Sequence, residues 1–365
     1  MIWPWKKSNG AAAAALDLRE RTTAQDALTA LISALPDPMM LLDSHGLVRT
    51  ANAKARDLLN MDPEGQHISS AIRAPAILEA VQAVLEHGGT QRVNYELHVP
   101  LPRHFEAFVA AMTAFDAEES ALILLKDLTR EQQTERMRAD FVAHASHELR
   151  TPLASLLGFI ETLQGAARKD EVSRDRFLAL MQNQAERMKR LIDDLLSLSR
   201  IEMNAHQRPT GTPDLKQIAF HVRDTLSGLA KSADVEIKID SKEPLPVQGD
   251  WDELVQVVQN LIENAIKYAA SGKVIEISGR RLGEDCELTV RDFGPGIAEE
   301  HLPRLTERFY RINVQESRSR GGTGLGLAIV KHILNRHRGK MRIQSELGGG
   351  SNFTVRIPTS AHEDK

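Results

Sequence analysis

The stretch FVAHASHELRTPL, from Phe141 to Leu153, carries the most information about the fold. Apolar side chains recur every three or four residues along it and beyond it, which predicts one buried stripe on a helix. This stripe consists of Met137, Phe141, Ala145, Leu149, Leu153, Leu156, Ile160 and Leu163. At about 100° per residue, His147 falls nearly opposite Leu149, and Thr151 lies one turn above His147. The sequence therefore predicts a solvent-facing imidazole on a rigid helix.

Composition excludes several classes of protein. A length of 365 residues allows two or three domains, each with its own core. The 46 basic and 50 acidic residues give a net charge of −4, so no basic field suggests nucleic acid as a partner. The single cysteine, Cys286, rules out an intramolecular disulfide and a cysteine-based zinc site. This cysteine usage fits a reducing compartment, and we expect a cytoplasmic location.

No apolar stretch of the sequence approaches the ~18 residues that span a bilayer. The N-terminal residues MIWPWKKSNGAAAAALDL have the pattern of neither a secretory signal nor a membrane helix. Two interpretations stay open for residues 1–22. We favour a disordered tail, and the alternative is a segment whose tryptophans and lysines lie at the inner face of the plasma membrane.

Residues 23–127 have the pattern of a small α+β module. Residues 27–35 predict a helix that Pro36 and Pro38 end, and MMLLD and LVRTAN predict a hairpin around residues 44–46. The segment ARDLLN is helical in pattern, and FEAFVAAMTAF and SALILLKDL are strand-like. This order of elements resembles a PAS domain, which implies a sensor. No histidine or cysteine in it indicates a haem or flavin site, so its ligand stays undefined.

Residues 128–205 predict a helical hairpin. The charged segment LTREQQTERMR continues into the His147 helix without proline or glycine, and a second helix spans about 172–201. A heptad seam follows this second helix: Leu178, Met181, Ala185, Met188, Ile192 and Leu195, widened by Leu180, Leu191, Leu196 and Leu198. Because two helices cannot hide so wide a seam, we expect a homodimer that forms a four-helix bundle. Residues 206–213, HQRPTGTP, have the composition of a linker.

Residues 214–358 alternate strands and helices, and 359–365 form a tail. The predicted strands are VEIKID, KVIEISG, CELTVRDF, KMRIQSE and NFTVRIP, and the predicted helices span about 251–269 and 325–337. In the first of these helices the buried stripe comprises Leu254, Val258, Leu261, Ala265 and Tyr268. Asn260 and Asn264 lie one turn apart at its border with Lys267 nearby. An amide oxygen suits Mg²⁺ and a lysine suits phosphate, although two asparagines alone would be ordinary solvated residues.

A second group of residues supports a nucleotide site. In CELTVRDFGPGI, strict alternation puts Asp292 on the core-facing side, where an adenine amino group would supply the missing donor. Gly294 and Gly296 then allow close backbone approach. The segment GGTGLGLAIV leads glycines into a helix start, which favours phosphate. The glycine spacing matches neither a P-loop nor a Rossmann site.

Five motifs, HELRTPL, NLIENAIKY, DFGPGI, ERFYR and GGTGLGLAIV, occur in the order found in bacterial sensor histidine kinases. Residues 128–358 resemble this family, and EEHLPRLTERFYRIN is most similar to its phosphate-regulon branch. The resemblance implies a multidomain α+β protein. It would consist of a PAS-like sensor, a dimerisation and phosphoacceptor hairpin, and an ATP-binding α/β sandwich of the Bergerat type.

The resemblance also implies roles for single residues. They are Asn260 and Asn264 in the N-box, with Asn264 on Mg²⁺; Lys267 and Tyr268 on phosphate and nucleotide; Asp292, Gly294 and Gly296 on adenine; Gly322, Gly324 and Gly326 on the phosphates; and Phe309 in the lid. Related ATPases carry a glutamate where Asn260 lies, so its absence favours transfer over hydrolysis. The implied partners are a second copy of the chain, the receiver domain of a response regulator and a phosphate-transporter-linked regulator.

The expected reaction passes the γ-phosphoryl of ATP–Mg²⁺ to one imidazole nitrogen of His147, with Glu148 as general base. The phosphoryl group would then move to an aspartate of the regulator, and Glu148 with Thr151 would support phosphatase activity. Residues 313–322 have the composition of a lid that orders over nucleotide. Two alternatives stay open: an ATPase of the same fold that forms no phosphohistidine, and a non-catalytic scaffold.

Overall fold

The computed structural model describes residues 30–97, 102–113, 119–165, 168, 170–204, 207–313 and 322–359. The predicted N-terminal tail and residues 314–321 of the predicted lid lie outside this part. Two compact units divide the chain, Met1–Asp140 and Phe141–Lys365. Within the described residues, no helix is apolar over a length sufficient to cross a membrane.

The first unit contains a five-stranded antiparallel sheet with the strand order β2-β1-β5-β4-β3. Its strands are β1 Met39–Leu42, β2 Val48–Ala51, β3 Thr90–Leu97, β4 Arg103–Thr113 and β5 Glu119–Asp127. Residues 30–34, within the predicted helix of residues 27–35, are helical, and the helices that follow are α1 Ala53–Leu59, α2 Ile68–Ala71 and α3 Pro75–His87. The core lies between α3 and the sheet because Ile77, Val81 and Val84 share one face of the helix and are buried.

The predicted hairpin and the two late strands are present in this unit. β1 pairs with β2 in antiparallel register around a turn at Gly46, whose φ of +75° favours glycine. β4 and β5 occupy the two strand-like runs. Neither α3 nor the edge strand β3 was predicted from the sequence.

Two long helices begin the second unit. α4 Thr129–Gln164 starts in the first unit and continues into the second, and α5 Glu171–Met203 returns beside it, with Phe159 against Phe177 at a ring-centroid distance of 5.6 Å. The stripe predicted to be buried on α4 is not buried within one chain, since Leu153 and Ile160 are exposed and Leu149 is only half-buried. A single hairpin has too few facing side chains to cover this stripe.

A five-stranded sheet with a helical layer completes the second unit. Its strand order is β6-β7-β8-β10-β9, and β6 is parallel to β7 while the other pairs are antiparallel. The strands are β6 Glu236–Asp240, β7 Val274–Leu282, β8 Asp285–Asp292, β9 Lys340–Glu346 and β10 Gly350–Pro358. The helices are α6 Leu215–Thr225, α7 Ser227–Ser232, α8 Trp251–Ala269 and α9 Gly326–Arg336, with 3₁₀ turns at Ala270–Gly272 and Glu299–Arg304. The five predicted strands are present, whereas α6 and α7 were not predicted.

Helix α8 shows why the helical layer lies where it does. The Asp250 side chain accepts from the Glu253 N–H at 3.0 Å and caps the helix start. Leu254 and Leu261, on the predicted stripe, are fully buried against the sheet. Tyr268 departs from the stripe because its side chain is 38 % exposed. The buried stripe continues from Ala265 to Ala269 instead, and the tyrosine lines a cavity.

The five-stranded sheet of the second unit and the helices packed on it are called the sheet layer below. The C-terminal half of α5 packs into the core of this sheet layer. Leu191, Leu198 and Ile201 are buried there together with residues of α8 and α9. Other apolar residues of α5 stay open to solvent, among them Leu178, Ile192 and Leu196. One face of α5 therefore holds the hairpin against the sheet layer, and another remains available to a second hairpin.

We expect Ile192→Glu to dissociate a homodimer. A carboxylate on the apolar seam would be buried without a partner, which costs about 3 kcal/mol and weakens dimerisation roughly a hundredfold. Analytical ultracentrifugation measures the change. Asn183→Glu, on the opposite face of α5 and also exposed, is the matched control and should leave the dimer intact. A wild type that sediments as a monomer would contradict the expectation.

Candidate nucleotide and phosphoacceptor site

A cavity of about 730 Å³ opens beside α8, a size that suits a nucleotide-sized ligand. Helix α8 contributes Asn260, Glu263, Asn264, Lys267 and Tyr268. The end of β8 and the turn after it contribute Asp292 and Gly296. The glycine-rich segment, residues 322–326, contributes Gly322, Gly324 and Gly326. Helix α5 of the hairpin contributes Arg190, Asp193 and Asp194. The structure thus brings together most of the predicted cofactor-binding residues in one cavity, while Gly294 and Phe309 lie outside its lining.

Asp292 lies buried at the end of β8, where alternation put it on the core side. Its Oδ1 accepts from the backbone N–H of Gly294 at 3.0 Å and of Ser351 at 3.2 Å. Burial raises the pKa of Asp292, and these hydrogen bonds only partly oppose the shift. The carboxylate is therefore held rigidly in the cavity wall and can accept a donor from a ligand.

Two glycines fix the turn after β8. Gly296 has a φ of +72°, and a Cβ there would overlap the carbonyl oxygen of Glu346. A Cβ on Gly294 would lie 2.5 Å from the Cβ of Ala269 at the end of α8. Gly294 therefore allows the turn to pack under α8, and it does not itself line the cavity.

The two asparagines of α8 differ in their surroundings. Asn260 donates from Nδ2 to the Gln256 carbonyl at 2.9 Å, and its Oδ1 would lie 2.6 Å from a Cβ on Gly326. Asn260 thus packs closely against Gly326, the first residue of α9, and any larger residue there would displace the Asn260 amide. Asn264 is half-buried one turn later and also lines the cavity. Its amide oxygen is the kind of neutral, hard ligand that suits Mg²⁺.

Lys267 forms an ion pair with Glu263, a residue that was not predicted to belong to the site. Its Nζ lies 2.7 Å from Glu263 Oε2, one turn earlier on α8. Burial works against the charged form of Glu263, but Lys267 and a hydrogen bond from Gln259 outweigh it, so the pKa of Glu263 is lowered. The i, i+4 spacing was the available signal for this pair.

Phe309, which the resemblance assigns to the lid, packs against the hairpin. Its ring is 5.9 Å from that of Phe141 and stacks 5.7 Å from that of His144. Its backbone has a φ of +63°, and its N–H donates to the Gly324 carbonyl at 2.8 Å. Contact with rings on α4 holds this aromatic side chain away from the cavity.

His147 and Thr151 are both exposed on α4. The Thr151 hydroxyl donates to the His147 carbonyl at 3.2 Å, so this hydroxyl is hydrogen-bonded within its own helix. Glu148, by contrast, is only 14 % exposed. Arg187 of α5 and Arg311 of the loop before the glycine-rich segment both pair with its Oε2, at 2.9 and 3.0 Å. No local sequence pattern indicated these two arginines.

Further contacts tie the hairpin to the sheet layer beside the cavity. The Thr323 hydroxyl donates to Asp194 Oδ2 at 2.6 Å, and Ser197 donates to Gln256 at 2.9 Å. Burial raises the pKa of Asp194, although the bond from Thr323 opposes this. Helix α5 therefore forms one wall of the cavity.

The second unit thus combines an exposed histidine on a helical hairpin with a cavity that is lined by glycines, amide oxygens and a lysine. This combination is typical of a phosphotransferase. Residues 137–204 match the His Kinase A (phospho-acceptor) domain, and residues 249–361 match the histidine kinase-, DNA gyrase B- and HSP90-like ATPase domain.

Curated relatives agree with these matches. The phosphate regulon sensor protein PhoR of Pseudomonas aeruginosa is 35 % identical over 88 % of this chain and 72 % of its own length. The sensor-like histidine kinase SenX3 of Mycobacterium tuberculosis is 31 % identical over 94 % of this chain and 83 % of its own length. The histidine kinase AdeS of Acinetobacter baumannii has a solved structure with 31 % identity and a TM-score of 0.47, covering 58 % of this chain and 98 % of that one. The two domain matches, and the identities of 35 % with PhoR and 31 % with SenX3, show that the chain belongs to the sensor histidine kinase family and is an ATP-dependent protein-histidine kinase.

We expect Asp292→Asn to weaken ATP binding by roughly ten- to a hundredfold, measured by calorimetry. An asparagine carries no negative charge to stabilise the two backbone N–H groups that Asp292 binds. Its amide N–H can also point at the adenine amino group, so that two donors would face each other. In the wild type, affinity should fall as the pH is lowered through the raised pKa of Asp292, because the protonated form loses the acceptor.

Asp285→Asn, at the other end of β8 and outside the cavity, is the control and should bind ATP normally with the wild-type pH dependence. Equal affinities in the Asp292 variant and the wild type would exclude the carboxylate from nucleotide recognition.

Proposed function

We propose that this kinase transfers the γ-phosphoryl group of ATP to His147 and then to an aspartate of a response regulator, in signalling of phosphate starvation. The similarity to PhoR supports the choice of signal. The observation that carries the phosphoacceptor role is the exposed imidazole of His147 on the helix whose next residue, Glu148, contacts the loop that borders the nucleotide cavity.

The neutral imidazole supplies the nucleophile. In the neutral form one ring nitrogen carries a lone pair, which attacks the γ-phosphorus without prior deprotonation. A nitrogen–phosphorus bond forms, the bond from the γ-phosphorus to the bridging oxygen breaks, and ADP leaves. The ring becomes cationic in this step, and Glu148 accepts the proton of the other nitrogen as general base.

The cavity residues bind and orient the nucleotide. We assign adenine recognition to Asp292 and phosphate contact to Lys267 and to the glycine-rich segment that leads into α9. Mg²⁺, held by Asn264, would neutralise charge on the phosphates. Among the described residues, no cluster of three or more acidic, histidine or cysteine side chains offers a metal cage. A metal ion that takes most of its ligands from phosphate and water fits such a site.

The proposed partners follow from the hairpin. The exposed seam on α5 supports a homodimer, whose four-helix bundle would present His147 to a receiver domain. We assign to Thr151, one turn above His147, the role of orienting water toward the acyl phosphate of that regulator, so phosphatase activity is part of the proposal. A link to a phosphate-transporter-associated regulator is the finer form of the same proposal, and the PAS-like first unit would supply the signal.

We expect γ-phosphate-labelled ATP to give a protein-bound label that is acid-labile and base-stable, as a phosphohistidine is. His147→Ala should remove the label completely, because no other group replaces the imidazole. His221→Ala, an exposed histidine on α6, is the matched control and should retain it. Hydrolysis of ATP without any bound label would support the alternative of a plain ATPase.

We expect Thr151→Ala to spare autophosphorylation while slowing regulator dephosphorylation by about tenfold or more. The hydroxyl orients water in the second reaction and has no part in the first. Measuring both rates on the same preparation, with Thr151→Ser as the variant that keeps the hydroxyl, checks the division. Equal losses in both reactions would refute it.

A further inference from the structure

One carboxylate oxygen of Glu148 accepts from two arginines. Arg187 lies on the partner helix of the same hairpin, and Arg311 lies in the loop before the glycine-rich segment. The side chains of both arginines are at most 10 % exposed. A buried charge of this kind is costly unless it is paired, so the cluster is held by its mutual contacts.

The two arginines belong to different parts of the second unit. Arg187 and Glu148 share the hairpin, so their contact persists whenever α4 and α5 are packed together. Arg311 belongs to the sheet layer, where its guanidinium also donates to the Thr323 carbonyl at the border of the cavity. Its contact with Glu148 therefore exists only while the sheet layer rests on the hairpin.

We propose that Arg187 is a positioning residue for phosphoryl transfer: it fixes the Glu148 carboxylate beside His147, and Arg311 occupies the same carboxylate oxygen in a resting arrangement. This inference rests on the proposed role of Glu148 as general base. A carboxylate oxygen has two lone pairs, and here both meet a guanidinium N–H. That oxygen can accept a proton only after one arginine leaves, and Arg311 is the one that moves with the sheet layer.

The alternative is that Arg187 only joins α4 to α5. Both roles predict some loss of stability when the arginine is removed, because Glu148 would keep a buried charge with one partner fewer. Only the positioning role predicts that each folded molecule reacts more slowly. Since Arg187 does not line the cavity, its removal should leave nucleotide binding unchanged under either role.

The test measures autophosphorylation by the full chain with ATP and Mg²⁺, well below the unfolding midpoint of every variant. Arg187→Gln should lower kcat by about tenfold, the order expected when a catalytic group is misplaced, with KM for ATP unchanged. Arg187→Lys keeps a donor and a charge and should restore most of the rate. Arg176→Gln, an exposed arginine on the same helix, is the matched control and should react like the wild type.

A double-mutant cycle with Glu148→Gln decides between the roles. If Arg187 acts through Glu148, Arg187→Gln should change kcat by less than about twofold in the Glu148→Gln background. Equal effects in both backgrounds, or an unchanged kcat with only a lower Tm, would overturn the inference and leave the base role intact. An unchanged kcat in Glu148→Gln alone would overturn the base role and this inference together.

Discussion

The second unit depends on a buried ion-pair cluster centred on Glu148. The residue after an exposed histidine would ordinarily be solvated, yet this carboxylate is mostly buried and meets Arg187 from the hairpin and Arg311 from the sheet layer. Breaking either contact leaves charge in a poorly solvated place, so the cluster holds the two parts in one arrangement. The phosphoacceptor helix and the border of the nucleotide cavity are thereby connected through a single carboxylate.

The cavity depends on a second constraint, close approach of backbone around a rigid carboxylate. Asp292 is fixed by two backbone N–H groups, and the chain can turn tightly beside it because Gly296 tolerates a positive φ and Gly294 leaves room for Ala269. Helix α5 then forms one wall of the cavity, where its Asp194 accepts a hydrogen bond from the Thr323 hydroxyl of the glycine-rich segment. The cavity is therefore shared between the sheet layer and the hairpin, which puts the nucleotide site and the phosphoacceptor helix in one compact unit.

Periodicity predicted the elements whose environment is uniform along their length. Alternation identified the five strands of the second unit and placed Asp292 on the core side, and the helical stripe identified α8. The polar edge strand β3 was missed because most of its side chains face solvent, so alternation is weak there. Helix α3 was missed although Ile77, Val81 and Val84 have helical spacing.

Contacts between segments that are distant in the sequence could not be predicted. Arg187 and Arg311 are 39 and 163 positions from Glu148, and no local pattern marks such pairs. The motif that assigns Phe309 to the lid likewise carries no sign of its contacts with Phe141 and His144 on α4. The proposed mechanism depends on which atom receives the γ-phosphoryl group. Tandem mass spectrometry of the protein after incubation with ATP and Mg²⁺, under alkaline conditions, tests this directly. The mechanism predicts phosphorylation on a ring nitrogen of His147, and release of inorganic phosphate with an unmodified His147 would contradict it.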